Sequence, residues 1–270
     1  MSDRIFDRNN VDGLRAAVHE IVWQTPVTDI HTHLYAPEFG GLLLWGIDEM
    51  LTYHYLAAEF FRVVNMPHDT FFALDKPRQA EAVWQALFVD QTPLSEACRG
   101  VITALDRLGA DVGAKDLGAL RAWYAGQDAR DFVGRVFEAA NVRDAVMTND
   151  PFDPRERAVW LAGGEDGPAP EIDGRFHRAL RIDPLLNNWP ACIEDLTGWG
   201  YRVEEELREG TVAEIQRFLE DWAARIHPLY LAVSLPPDFA YRDASARSRM
   251  IDECIIPVTL KLNIPFALMI

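Results

Sequence analysis

The chain reads as an alternating α/β protein built on a parallel sheet, and three observations predict it. Five short apolar runs recur along the 270 residues, separated by stretches with helical periodicity. The buried strands among them have the continuous apolar character expected of parallel pairing. Polar and charged residues gather just after the runs, at the strand ends where chemistry collects in a parallel sheet.

The elements follow in order. Val11 to Trp23 places Val11, Leu14, Val18, Ile21 and Val22 at helical spacing, with Asn9 or Asn10 as N-cap and Pro26 as the stop. Val27 to Leu34 is the first strand. Helices are expected at Asp48 to Val64, Arg78 to Asp90, Ser95 to Leu108, Leu117 to Tyr124 and Ala129 to Ala140, a length between strands far beyond a simple crossover. Arg143 to Thr148 is the second strand, and it runs into the polar loop Asn149-Asp150-Pro151-Phe152-Asp153-Pro154. A helix at Arg155 to Ala162 and a Gly/Pro-rich loop at Gly163 to Gly174 lead to a third strand, Phe176 to Ile182. Thr211 to Ile226 is an amphipathic helix with Val212, Ile215, Phe218, Leu219 and Trp222 on one face. Leu229 to Leu235 is the fourth strand. Ala244 to Leu262 is a helix that Pro257 should kink, and Pro265 to Ile270 is the fifth strand.

With 49% hydrophobic residues the chain has ample core for one large or two medium domains. Its net charge of -16, without a basic run, argues against nucleic acid as a partner. No stretch reaches the roughly 18 apolar residues of a membrane span, and the charged opening from Met1 to Asn10 is no signal peptide. Cys98, Cys192 and Cys254 form no paired ligand signature, so reduced thiols and a cytoplasmic protein are expected. The expected partners are a small anionic molecule and further copies of the chain, with no membrane.

The sharpest motif is Asp29-Ile30-His31-Thr32-His33. Residues two apart on a strand point to one side, so His31 and His33 present two imidazoles to one ion, with Asp29 available to orient one of them. Arg181 stands at a strand end, where a charge is costly unless paired. Asp150 before Pro151 equally suits a turn. His19, His68, His177 and His227 lack partner spacing and read as structural, Trp45, Trp84, Trp123 and Trp222 fall on helix faces as core, and Trp189, beside Asn187, Asn188 and Pro190, is placed in a loop that could line a sugar site.

Asp29-Ile30-His31-Thr32-His33-Leu34 resembles the strand-one motif of the amidohydrolase superfamily, and three further stretches resemble the uronate isomerase (glucuronate isomerase) family: Tyr53-His54-Tyr55 with Arg62, Met147-Thr148-Asn149-Asp150-Pro151, and Leu180-Arg181-Ile182-Asp183. The resemblance spans residues from about 20 to 190. It implies a (β/α)8 TIM barrel of amidohydrolase type with a helical insertion after strand one, of which about the first five strands lie in this chain. The segments are then 1-34 (helix and strand one), 35-140 (insertion) and 141-270 (strands two to five).

The implied activity is a metal-dependent aldose-ketose isomerisation of a uronic acid. By the same resemblance His31 and His33 are metal ligands, with zinc the implied divalent ion. Asp150 and His54 are the candidate catalytic residues. Tyr53, Arg62, Asn149, Arg181 and Trp189 are the candidate substrate contacts, the arginines suited to a sugar carboxylate. The chain departs from the family at Val233-Ser234-Leu235-Pro236 and Phe266-Ala267-Leu268-Met269, where the family carries histidines. Two other functions fit the same residues: a superfamily hydrolase acting on a lactone, ester or amide through metal-bound water, and a sugar-acid-binding relative of altered chemistry.

Overall fold

A computed structural model describes residues 10–164 and 167–270. The expected N-terminal segment up to residue 9, and residues 165 and 166 of the Gly163 to Gly174 loop, lie outside them. The chain divides into two compact units, one comprising residues up to Val27 with Leu43–Arg143, the other Thr28–Leu42 with Asp144–Ile270.

The first unit is helical. It holds α1 (Val11–Gln24), α2 (Ile47–Leu51), α3 (His54–Val63), α4 (His68–Phe72), α5 (Lys76–Trp84), α6 (Glu96–Arg107), α7 (Leu117–Ala125) and α8 (Ala129–Ala139). Side-chain caps start several of them: Asn10, Asp75, Ser95, Asp116 and Asp128 each accept a backbone N–H of the first turn. The core is aromatic, with Phe60 against Phe71 at 5.0 Å and Trp84 stacked on Phe88 at 4.8 Å. Trp45 and Trp123 pack on this core as expected. The single helix expected over Asp48 to Val64 is instead two, α2 and α3. The break falls at Tyr53, which is extended with ψ 144°, while the Thr52 hydroxyl and backbone N–H both close the end of α2 on the Asp48 carbonyl, at 2.8 and 3.1 Å. α4 was not expected at all.

The second unit carries a five-stranded sheet in the order β1 (Val27–Thr32), β2 (Val142–Asn149), β3 (Phe176–Arg181), β4 (Leu231–Ser234) and β5 (Phe266–Met269), parallel and curled into half a barrel. β2 pairs with β3 from Ala145↔Phe176 to Asn149↔Leu180, β3 with β4 at Leu180↔Leu231, and β4 with β5 from Leu231↔Phe266. The middle strands are the buried ones: Met147, Leu180, Leu231 and Val233 are all 0% exposed. Between strands lie α9 (Pro154–Trp160), α10 (Asp183–Asn187), α11 (Trp189–Gly198), α12 (Glu209–Ile226), α13 (Ala246–Met250) and α14 (Ile256–Leu262).

α12 buries Ile215, Phe218, Leu219 and Trp222 as its periodicity demands, with Ile226 added, while Val212 is only half-buried. His227 ends it as the C-cap, in the left-handed region at φ 50°. Pro257 disturbs its helix as expected. A π-helical turn, Ile251–Ile255, precedes it, and the Glu253 carbonyl, whose i+4 partner has no N–H, accepts from Gln216 Nε2 at 2.7 Å. α10 and α11 occupy a stretch that the sequence reading left without helices.

Candidate active site

The site residues of the second unit stand at the C-terminal ends of β1, β2 and β3. His31 and His33 end β1 with ring centroids 5.4 Å apart. The period-2 geometry therefore brings the imidazoles together, close enough for one nitrogen of each to meet a single ion. Asp29 meets the backbone of His31. Its Oδ1 accepts the His31 backbone N–H at 3.1 Å, and its charge helps push the Tyr230 hydroxyl above its ordinary range, after burial.

Two imidazoles fit two ligand positions, and a catalytic zinc takes three protein ligands. Among the described residues no group of three or more His, Cys, Asp or Glu side chains is arranged to hold an ion.

β2 ends in a buried polar knot. Asn149 is 1% exposed and donates from Nδ2 to Glu156 at 2.5 Å, and its Oδ1 has no partner among the described residues. The same Glu156 accepts the Asp150 N–H at 2.9 Å, the Tyr35 hydroxyl at 3.0 Å and the Trp160 indole N–H at 3.1 Å. Burial raises the Glu156 carboxyl, against the pull of those donors. Asp150 folds its Oδ1 onto the Phe152 N–H at 2.8 Å, the turn that an Asp before proline favours. Desolvation pushes its carboxyl up to about 6; the Phe152 hydrogen bond and the Arg181 charge oppose this, and Asp183 and Asp153 add to it. A carboxyl in that range can be both acid and base near neutral pH.

At the end of β3, Arg181 is held by Asp183 through Nε–Oδ2 at 3.0 Å and Nη2–Oδ1 at 2.5 Å, and Nη2 also reaches Ser234 Oγ at 3.3 Å. Asp183 in turn accepts the Ser234 N–H at 3.1 Å, so one carboxylate ties the ends of β3 and β4. The ion pair, chiefly through its hydrogen bonds, raises the guanidinium further above its ordinary value. Arg181 thus comes with a fixed counter-ion, and its Nη1 makes no hydrogen bond among the described residues.

Trp189 is not in a loop. It opens α11, where Asn188 and Pro190 start a helix, and its indole donates to the Glu205 carbonyl at 3.0 Å. Its neighbour Asn187 donates to the Ser234 carbonyl at 2.8 Å. Tyr53, His54 and Arg62 belong to the helical unit. Tyr53 and His54 rings lie 4.2 Å apart at the start of α3, with Tyr55 at the same distance beyond His54. Arg62 lines a cavity of about 280 Å³ with Glu59, Thr92, Ser95 and Cys98. Cys192 and Cys254 are buried with thiols pushed up to about 12, so neither is an activated nucleophile.

Glu156 and Tyr35 escaped the sequence reading. The one available signal was the polar loop before α9, which marked the neighbourhood without marking the residue.

No family model and no curated protein matches the chain. Among solved structures it is similar to a uronate isomerase from Bacillus halodurans C-125, with 47% identity and a TM-score of 0.89 over 95% of this chain and 60% of that one. It also shares its fold with a glucuronate isomerase from Caulobacter crescentus, at 14% identity and a TM-score of 0.59 over 99% of this chain and 62% of that one. The chain thus spans about three-fifths of the length of either structure. The uronate isomerase resemblance read from four short motifs is borne out over nearly the whole chain.

Proposed function

We propose that this chain is a uronate isomerase, interconverting the aldose and ketose forms of a glucuronate- or galacturonate-like acid. The observation that carries the reading is the 47% identity to a uronate isomerase across 95% of the chain. The proposal includes an (β/α)8 barrel of amidohydrolase type and a cytoplasmic homo-oligomer. No helix among the described residues is long and apolar enough to cross a membrane.

The strand ends support the chemistry. Moving a proton between C1 and C2 needs a group that takes it from one carbon and returns it at the next. Asp150, with its carboxyl raised to about 6, is the residue we assign to that transfer. Arg181, kept charged and oriented by Asp183, is assigned to the substrate carboxylate. Tyr53, His54 and Arg62 remain proposed on the family resemblance alone, the first and last as substrate contacts and His54 as a second candidate for the proton transfer. Asn149 is assigned a supporting role, since its amide is engaged by Glu156, and Trp189 a place beside the site. A zinc-type ion, for which His31 and His33 would be two ligands, supplies Lewis-acid polarisation of the carbonyl when bound.

Purified protein incubated with D-glucuronate or D-galacturonate, with and without added zinc or manganese, should form the corresponding keto acid. No turnover of any uronate would sink the reading.

A further inference from the structure

Glu156 is 0% exposed, in the first turn of a seven-residue helix where an acid ordinarily faces water. Burying a carboxylate is costly unless its lone pairs are satisfied. Here its four side-chain partners among the described residues are all donors, two to each oxygen: Asn149 Nδ2 and Trp160 Nε1 on Oε1, the Asp150 N–H and the Tyr35 hydroxyl on Oε2. Only an ionised carboxylate accepts from all four without presenting a proton of its own; a glutamine amide would turn an NH2 toward one pair of donors. Three of the donors belong to the loop after β1 and the end of β2. Trp160, in contrast, belongs to the helix that carries Glu156.

Asp150 is consequently gripped on both sides of its Cα. Its N–H is taken by Glu156, its Oδ1 is turned onto the Phe152 N–H, and the intervening Pro151 is buried with a fixed φ. We infer that Glu156 is a positioning residue: it holds the Asp150 carboxyl in its desolvated place at the end of β2 by accepting hydrogen bonds from Asp150, Asn149 and Tyr35 together. The kinetic part of the test rests on the uronate isomerase reading; the titration part does not. The charged and titratable groups around Asp150 are Arg181, Asp183, Asp153, Glu156, Tyr35 and Cys192.

The test uses the full chain with 13C-labelled aspartate carboxyls, the Asp150 signal being assigned by its loss in Asp150→Asn. Wild type should titrate at about 6. In Glu156→Gln the loosened loop admits water, so the Asp150 midpoint should fall by about one pH unit or more toward the ordinary carboxylate range. Uronate turnover should drop about tenfold in kcat with KM changed less than about threefold. Glu156→Asp should fall between the two. Trp160→Phe removes the fourth donor and should lower thermal stability without moving the Asp150 midpoint. A folded Glu156→Gln whose midpoint stays within about 0.3 units of wild type overturns the inference. If neither Glu156 variant folds, Tyr35→Phe decides: a downward shift supports the inference and an unchanged midpoint overturns it. A wild type without turnover refutes the functional reading alone, and the titrations still decide the role of Glu156.

Discussion

Replacing Asp150 by asparagine should stabilise the protein, and by an amount that depends on pH. The Asp150 carboxyl is raised from 3.8 to about 6 chiefly by desolvation. A raised carboxyl favours the folded state only while protonated. Its contribution is fully present below the unfolded value and is lost as pH rises through the folded one. Asparagine keeps an oxygen for the Phe152 N–H and never ionises. From the two midpoints, the ionisation cost that the variant escapes is about 3 kcal/mol at pH 8 and about 1 kcal/mol at pH 4.5. Urea unfolding of both proteins at the two pH values measures it, with tryptophan fluorescence as probe. Asp150→Asn should be the more stable protein at pH 8, and its advantage should shrink by about 2 kcal/mol at pH 4.5. An equal difference at both pH values, or a destabilised variant at pH 8, would refute the desolvated-carboxyl argument. The same variant should lose uronate turnover, a trade between stability and activity at a site that keeps a costly charge.

Other expectations follow from single contacts. Gln216→Ala should cost about 1 kcal/mol, because it strips the Glu253 carbonyl of its substitute donor; in a Pro257→Ala background, where residue 257 regains an N–H, a double-mutant cycle should show a smaller cost. His31→Ala and His33→Ala should each weaken zinc binding at least about tenfold by calorimetric titration while leaving the circular dichroism spectrum unchanged, since both side chains are exposed at a strand end. Equal zinc affinity in wild type and both variants would remove the pair from the proposed metal site.

All five strands are present close to their expected places; β4 and β5 advertise themselves as nearly unbroken apolar runs, whereas β1 to β3 carry polar residues among the apolar ones and were legible from their place between helical stretches. The helices of 183 to 198 were not, because Asp183-Pro184 and Asn188-Trp189-Pro190 look like turns. Proline in the first turn is in fact compatible with a helix start, and the structure uses it so twice. The break between α2 and α3 was hidden by a periodicity that continues through it, and only the extended backbone of Tyr53 shows it. In the candidate site, the strand-end positions of His31, His33, Asp150 and Arg181 were legible, because each follows or closes an apolar run. Glu156 was not. In Asp153-Pro154-Arg155-Glu156 it resembles an acid placed to favour a helix N-terminus, and its burial is created by Tyr35 and Asn149, which arrive from other elements. The counter-ion of Arg181 was equally hidden, since a charge at a strand end says nothing of which carboxylate will meet it.

The isomerisation itself is open to direct observation with D-glucuronate labelled with 13C at C1. On incubation with the purified protein, the labelled C1 should change from the hemiacetal carbon of the aldose to the hydroxymethyl carbon of the keto acid, until the same mixture is reached that forms from the ketose side. A label that remains at the hemiacetal carbon, with zinc or manganese present as without, would contradict it.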